Sequence, residues 1–115
     1  MTMQLVRSWT AICRYEELLP ERGVAALVDG HQVAVFRTFV EVVYAIDNRD
    51  PFSGAYVLSR GIVGSRAGVP TVASPIFKQA FDLRTGTCLT DPVVGVAAHE
   101  VRCVDGVIEI RLNSS

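Results

Sequence analysis

Two short proline-containing stretches near the middle of the chain hold side chains whose capacity to bind a metal can be judged from their types. They are residues 50–54 (DPFSG) and residues 74–78 (SPIFK). Asp50 would be a hard oxygen ligand and Ser74 a poor one, whereas Phe52 and Phe77 have no lone pair to give a metal. At most two of these four residues can donate to a metal, so the two stretches predict no metal centre.

The two stretches resemble the cluster loops of a Rieske iron-sulfur domain with every ligand replaced. Such a domain needs Cys-x-His on one loop and Cys-x-x-His on the other, because two thiolates hold one iron and two imidazoles hold the other. An iron-sulfur cluster prefers thiolate sulfur or imidazole nitrogen to the oxygens of Asp50 and Ser74. We therefore expect no cofactor in this chain. The degenerate ligand positions are Asp50, Phe52, Ser74 and Phe77.

A longer resemblance surrounds these loops. Residues 51–55 (PFSGA), 57–64 (VLSRGIVG) and 73–79 (ASPIFKQ) resemble, in this order, the small subunit of NAD(P)H-dependent nitrite reductase. The match runs from about Trp9 to Ile110. Because that family is a Rieske-like domain without ligands, the resemblance implies a non-catalytic subunit that carries no electrons.

The resemblance also implies a partner. In that family the large subunit carries FAD, an iron-sulfur cluster and sirohaem, takes hydride from NAD(P)H and reduces nitrite to ammonia in nitrate assimilation. Whether NADH or NADPH is used stays open. By analogy with Rieske proteins, the loops would face the partner, although charges such as Arg60 more often form a solvated face. The candidate contact residues are Pro51, Phe52, Arg60, Pro75, Phe77 and Lys78.

The two loop phenylalanines have two interpretations. Phe52 and Phe77 either fold inward and fill the volume that a cluster would occupy, or stay exposed as anchors for the partner. An alanine in place of a filling side chain would lower the stability of the domain. An alanine in place of an anchor would lower affinity instead.

Two other functions compete with that of a nitrite reductase subunit. A true electron carrier, such as the ferredoxin component of a ring-hydroxylating oxygenase, conflicts with the missing ligands. A Rieske-like interaction module of another oxidoreductase is not separated from the first interpretation by anything in the sequence. Residues 61–64 (GIVG) lack the spacing and the strand-to-helix setting of a dinucleotide fingerprint, and no nucleophile–base pair can be recognised.

Composition indicates one domain spanning residues 1–115. With 115 residues, 50% of them hydrophobic, the chain can bury roughly two thirds of its unfolded surface. No apolar run approaches the roughly 20 residues of a membrane span, and residues 1–7 lack the apolar centre of a signal peptide. We therefore expect a cytoplasmic protein. A net charge of −1 with scattered arginines excludes the basic face that nucleic-acid binding requires.

Turn chemistry and alternating apolar residues predict an all-β fold. Asp29-Gly30 and Asp105-Gly106 each separate two Val-rich segments and predict type I′ hairpins, because this dipeptide tolerates φ > 0. Residues 15–19 are typical of a helical turn that Pro20 ends. We expect a Rieske-like antiparallel β-sandwich or partial barrel with a loop lobe at about residues 47–79.

The long apolar segment at residues 33–46 departs from this pattern. It lacks a turn residue, so the chain either bends at Thr38-Phe39 or forms a wider loop with Phe39 and Val40 at its tip. An exposed Phe39-Val40 pair would contact a partner or another copy of the chain, and the alternative is burial in the core.

The positions of the three cysteines and of His31 in the sequence predict structural roles for them. Cys13, Cys88 and Cys103 are far apart and lack metal-ligand spacing, so they predict reduced, buried thiols. His31 opens a strand directly after a turn, which predicts a surface imidazole and not a ligand or a catalytic base.

Overall fold

The computed structural model describes residues 8–113 and confirms the all-β prediction. The prediction about residues 1–7 lies outside this part of the chain. No helix within residues 8–113 is long and apolar enough to cross a membrane. The strands are β1 (Thr10–Arg14), β2 (Arg22–Val28), β3 (His31–Arg37), β4 (Val43–Asp47), β5 (Ile62–Arg66), β6 (Val69–Ala73), β7 (Ala80–Asp82), β8 (Ala98–Val104) and β9 (Val107–Arg111).

Two antiparallel sheets are formed by these strands. The larger has six strands in the order β1-β9-β8-β4-β3-β2 and is a nearly closed barrel, as predicted. The smaller has three strands in the order β5-β6-β7. The first strand pairs with the last, so that Thr10 lies opposite Ile110.

The core has two parts because β3 and β4 are covered on both faces. Along β3, Val33 and Val35 point into the barrel, while Ala34 and Phe36 point toward the smaller sheet. This alternation follows from the two-residue period of a strand. We call the second part the inter-sheet core. Its buried members are Ala34, Phe36, Ile46, Leu58, Val72, Phe81, Leu83 and Cys88.

Local turn chemistry was predicted well where Asp-Gly occurs. Both Asp-Gly pairs have positive φ at each central residue, as type I′ turns require. Tyr15–Glu17 form one 3-10 turn, in agreement with the short helical segment. A third hairpin, at Ala67-Gly68 between β5 and β6, was not predicted.

The segment between β3 and β4 forms a wider loop. The N–H of Thr38 donates to the carbonyl of Val42 at 2.9 Å, and the N–H of Glu41 donates to the carbonyl of Thr38 at 3.0 Å. Phe39 and Val40 lie at its tip with 79% and 74% exposure, so the loop interpretation is confirmed and the burial alternative is wrong. The sequence contains no turn signal here because Glu41, at φ 68°, takes the position that glycine would normally occupy.

The cysteines are all free thiols, but they differ in burial. Cys88 is buried as predicted and Cys13 is half-buried. The prediction that Cys103 is buried is wrong, because it is exposed. It lies in the part of β8 past Ala98 and His99, the residues that pair with β4, so β9 is its neighbouring strand on one side only.

Candidate functional site

The first loop, residues 50–55, is closed by hydrogen bonds at its base. The N–H of Gly54 donates to the carbonyl of Asp50 at 2.7 Å, and the N–H of Asp50 donates to the carbonyl of Ala55 at 2.8 Å. The Asp50 carboxyl Oδ1 accepts the N–H of Phe52 at 2.8 Å. Gly54 has φ 79°, which glycine adopts without strain. The backbone of this loop is therefore tightly constrained.

The second loop, residues 74–79, repeats this geometry. The N–H of Lys78 donates to the carbonyl of Ser74 at 3.1 Å, and the N–H of Ser74 donates to the carbonyl of Gln79 at 2.9 Å. Ser74 Oγ accepts the N–H of Ile76 at 3.3 Å. Lys78 stands where the first loop has glycine, with φ 62°. That conformation costs a residue with a side chain roughly 1 kcal/mol.

The first residues of the two loops are hydrogen-bonded to each other. The Ser74 hydroxyl donates to Oδ2 of Asp50 at 2.5 Å, and both residues are 0% exposed. We call this contact the loop bridge. Buried polar groups are normally satisfied by such partners. Asp50 and Ser74, the two ligand positions that carry oxygen, therefore form a hydrogen bond with each other across the loops.

The two phenylalanines occupy different environments. Phe52 is half-buried and packs against the inter-sheet core, with its ring centroid 6.2 Å from that of Phe81. Phe77 is 58% exposed, and its neighbour Ile76 is 43% exposed. We call Ile76 and Phe77 the loop tip. Phe52 thus packs inward and Phe77 has the exposure that an anchor requires, and the roles of both residues stay predictions.

The other candidate contact residues lie on or beside the loops. Pro51 and Pro75 are half-buried, whereas Arg60 and Lys78 are exposed. Lys78 Nζ donates to the carbonyl of Pro75 at 3.3 Å, so its charge lies beside the second loop. Arg60 ends the short 3-10 turn Leu58–Arg60 that precedes β5.

A cluster of polar side chains that was not predicted lies at the ends of three strands. His31 Nε2 lies 2.7 Å, and His99 Nε2 lies 2.8 Å, from the same oxygen, Oδ1 of Asp47. The second carboxyl oxygen of Asp47 accepts the N–H of Ala97 at 3.2 Å. His31 is exposed as predicted, but its pairing depends on the register of β3, β4 and β8. No sequence motif signals that register.

The proton positions in this cluster argue against a metal ion. Two imidazoles and one carboxylate are a suitable ligand set for zinc or iron, and their ligand atoms lie within 4.8 Å of one another. However, Nδ1 of His99 accepts the N–H of Asn113 at 3.1 Å, which places the His99 proton on Nε2. A metal-bound Nε2 would require that proton on Nδ1. The cluster is therefore a hydrogen-bond network that joins three strands.

Asp47 should make the stability of the domain depend on pH. Burial opposes its ionisation, but hydrogen bonds from His99, His31 and the Ala97 N–H outweigh burial and lower the pKa of Asp47 from 3.8 to about 2. Because the folded pKa is the lower one, this stabilisation is present above pH 3.8 and is lost as the pH falls through about 2. We expect it to be worth about 2 kcal/mol.

Chemical unfolding of the wild type and of Asp47→Asn between pH 2 and pH 7 measures this contribution. The difference in unfolding free energy between the two proteins should shrink as the pH falls. A difference that stays constant over this range would show that the Asp47 charge contributes nothing.

Comparisons with known proteins agree with the fold and with the resemblance. The model of the Rieske-like [2Fe-2S] domain family matches residues 8–111. The nitrite reductase (NADH) small subunit of Escherichia coli K12 is 44% identical over 104 residues, which cover 90% of this chain and 96% of the relative. A crystal structure assigned to the NADH-dependent nitrite reductase small subunit of Mycobacterium tuberculosis has 48% identity and a TM-score of 0.91, and the match covers 96% and 99% of the two chains.

A third relative is much longer than this chain. It is the nitrite reductase [NAD(P)H] large subunit of Klebsiella oxytoca, which is 39% identical over 102 residues. The match covers 89% of this chain but only 11% of the relative. A domain of this type is therefore one part of that longer polypeptide.

The family description implies a [2Fe-2S] cluster, and the residues present do not fit one. Phe52 and Phe77 offer no donor atom, and the oxygens of Asp50 and Ser74 are joined in the loop bridge. The family assignment does not depend on these four positions, because the family match and the sequence identity extend over nearly the whole chain. The chain belongs to the Rieske-like domain family and, within it, to the nitrite reductase small subunits.

Proposed function

We propose that this chain is the non-catalytic small subunit of an NAD(P)H-dependent nitrite reductase and binds the large subunit without carrying electrons. The observation that carries the proposal is the Klebsiella oxytoca relative, in which a domain 39% identical to this chain is part of a large-subunit polypeptide. A domain that is fused in one organism and separate in another is expected to occupy the same place in the complex. FAD, sirohaem and the iron-sulfur cluster then belong to the large subunit, as the family resemblance implies.

The proposed contact surface is the lobe that carries the two loops. Its tip exposes Ile76 and Phe77 side by side, and an aromatic side chain of this kind is a typical anchor at a protein interface. Exposed Arg60 and Lys78 would act as rim charges that guide association. Phe52 would support the lobe from within.

The direct test is binding and activity with the purified large subunit. We expect the two chains to elute together in gel filtration, and we expect the small subunit to increase nitrite-dependent NAD(P)H oxidation. Separate elution together with unchanged activity would contradict the proposal. Affinity capture from native extract tests the competing function, because an interaction module of another oxidoreductase would bring down a different reductase.

The purified chain should be colourless and free of iron. The reason is the loss of donors at Phe52 and Phe77 together with the loop bridge between Asp50 and Ser74. Iron analysis and visible absorption after anaerobic preparation measure this. Stoichiometric iron with a Rieske-type spectrum would contradict the proposal and favour the electron carrier.

We also propose that residues 1–115 act as one domain and that the complex is cytoplasmic. The two sheets share the inter-sheet core, which supports their folding as a unit. A single cooperative unfolding transition would agree with one domain, and cell fractionation would test the location.

A further inference from the structure

We propose that Asp50 and Ser74 are positioning residues, whose hydrogen bond holds the loop tip in the conformation that binds the large subunit. This inference rests on the proposed function and deepens it. It gives two of the four former ligand positions a role that needs no metal. The loop bridge would then do mechanically what a metal cluster does in a ligand-bearing domain, since it joins the two loops.

The loop bridge is a polar connection between the two loops. Among the hydrogen bonds of residues 8–113, it is the only one that joins residues 50–55 to residues 74–79. All other hydrogen bonds made within the two loops are local, such as that from the N–H of Phe52 to Oδ1 of Asp50. Without the bridge, each loop would retain its own shape but lose this polar link to the other.

The loop tip is connected to the bridge through one shared oxygen. Ser74 Oγ donates to Asp50 and accepts the N–H of Ile76, the first residue of the tip. Phe77 follows directly, and then Lys78 at φ 62°. A residue with a side chain persists in this region only where the surrounding structure fixes it. The bridge and the local bonds of Ser74 provide that constraint.

A fixed tip favours binding because less conformational freedom is lost when the complex forms. Removal of the Ser74 hydroxyl would leave the Asp50 Oδ2 and the Ile76 N–H without these partners. The second loop would then sample other conformations, and Phe77 would be presented less often in the binding geometry. The effect on affinity would therefore be transmitted through Phe77.

A double-mutant cycle tests this coupling. Affinity for the purified large subunit is measured for the wild type, Ser74→Ala, Phe77→Ala and the double variant. We expect Ser74→Ala to weaken binding at least fivefold in the wild-type background and less than twofold when Phe77 is already alanine, because interacting positions are non-additive.

Ser53→Ala is the matched control. It removes a serine hydroxyl of the first loop whose hydrogen bond, from the N–H of Ala55 at 3.2 Å, stays within that loop, so we expect affinity within about twofold of wild type. Amide hydrogen exchange gives a readout besides affinity. Exchange at residues 76–78 should accelerate in Ser74→Ala while exchange in β3 and β4 stays unchanged.

The possible outcomes separate this inference from the proposed function. If Phe77→Ala weakens binding and a folded Ser74→Ala does not, positioning is overturned and the proposed function stands. An equal loss from Ser74→Ala in both backgrounds also overturns positioning. If the wild type does not bind, both proposals are wrong. Should Ser74→Ala fail to fold, Asp50→Ala/Ser74→Ala replaces it in the cycle, because it leaves no buried charge without its partner.

Discussion

Phe52→Ala is expected to lower the free energy of unfolding by about 3 kcal/mol and to leave affinity for the large subunit unchanged. The ring of Phe52 packs against the inter-sheet core, with its centroid 6.2 Å from that of Phe81. Its removal would leave a cavity beside the inter-sheet core. We place the cost at the low end for a phenylalanine because the side chain is only half-buried.

Denaturant unfolding and calorimetric binding measure the two quantities separately. Phe52→Leu is the control, since it retains most of the apolar volume and should cost only about 1 kcal/mol. If Phe52→Ala weakened binding and left the domain equally stable, Phe52 would be an anchor and the filling interpretation would be wrong.

Phe77→Ala is expected to have the opposite pattern. Affinity for the large subunit should fall by about 2 kcal/mol or more, roughly 30-fold, because an exposed aromatic side chain at the centre of an interface is a typical hot spot. The melting temperature should stay within about 2 °C of wild type, since Phe77 is 58% exposed and little packing is lost.

Phe39→Ala is the matched control for Phe77→Ala. It makes the same change at another exposed phenylalanine, on the loop between β3 and β4, and Phe39 is 79% exposed. We expect its affinity to equal that of the wild type. A loss of affinity in Phe39→Ala but not in Phe77→Ala would place the interface on the β3–β4 loop instead of the lobe.

Features of the fold that depend on a few neighbouring residues could be predicted from the sequence. The two Asp-Gly hairpins are examples, because the turn residues themselves set the backbone conformation. The β3–β4 loop could not be predicted in the same way. Its turn depends on Glu41 at φ 68°, held by a 2.5 Å hydrogen bond from Tyr15, which is 26 residues away in the chain.

The candidate site, too, could be predicted from the sequence only in part. The loss of the metal ligands could be read directly from Asp50, Phe52, Ser74 and Phe77. The arrangement of these residues could not be predicted. The loop bridge joins residues that are 24 apart in sequence. The different burial of the two phenylalanines depends on packing against the smaller sheet. The His31–Asp47–His99 network was missed for a related reason, since strand register alone brings these side chains together.

The pairing of the first strand with the last bears on how a domain of this kind can be joined to other proteins. Because Thr10 lies opposite Ile110, the chain enters and leaves the barrel at neighbouring points of one sheet. A longer polypeptide could therefore acquire the domain through short linkers at either side without opening any strand pair. The Klebsiella oxytoca large subunit, in which the similar region is 11% of the length, is consistent with a domain that can be inserted into a longer chain in this way.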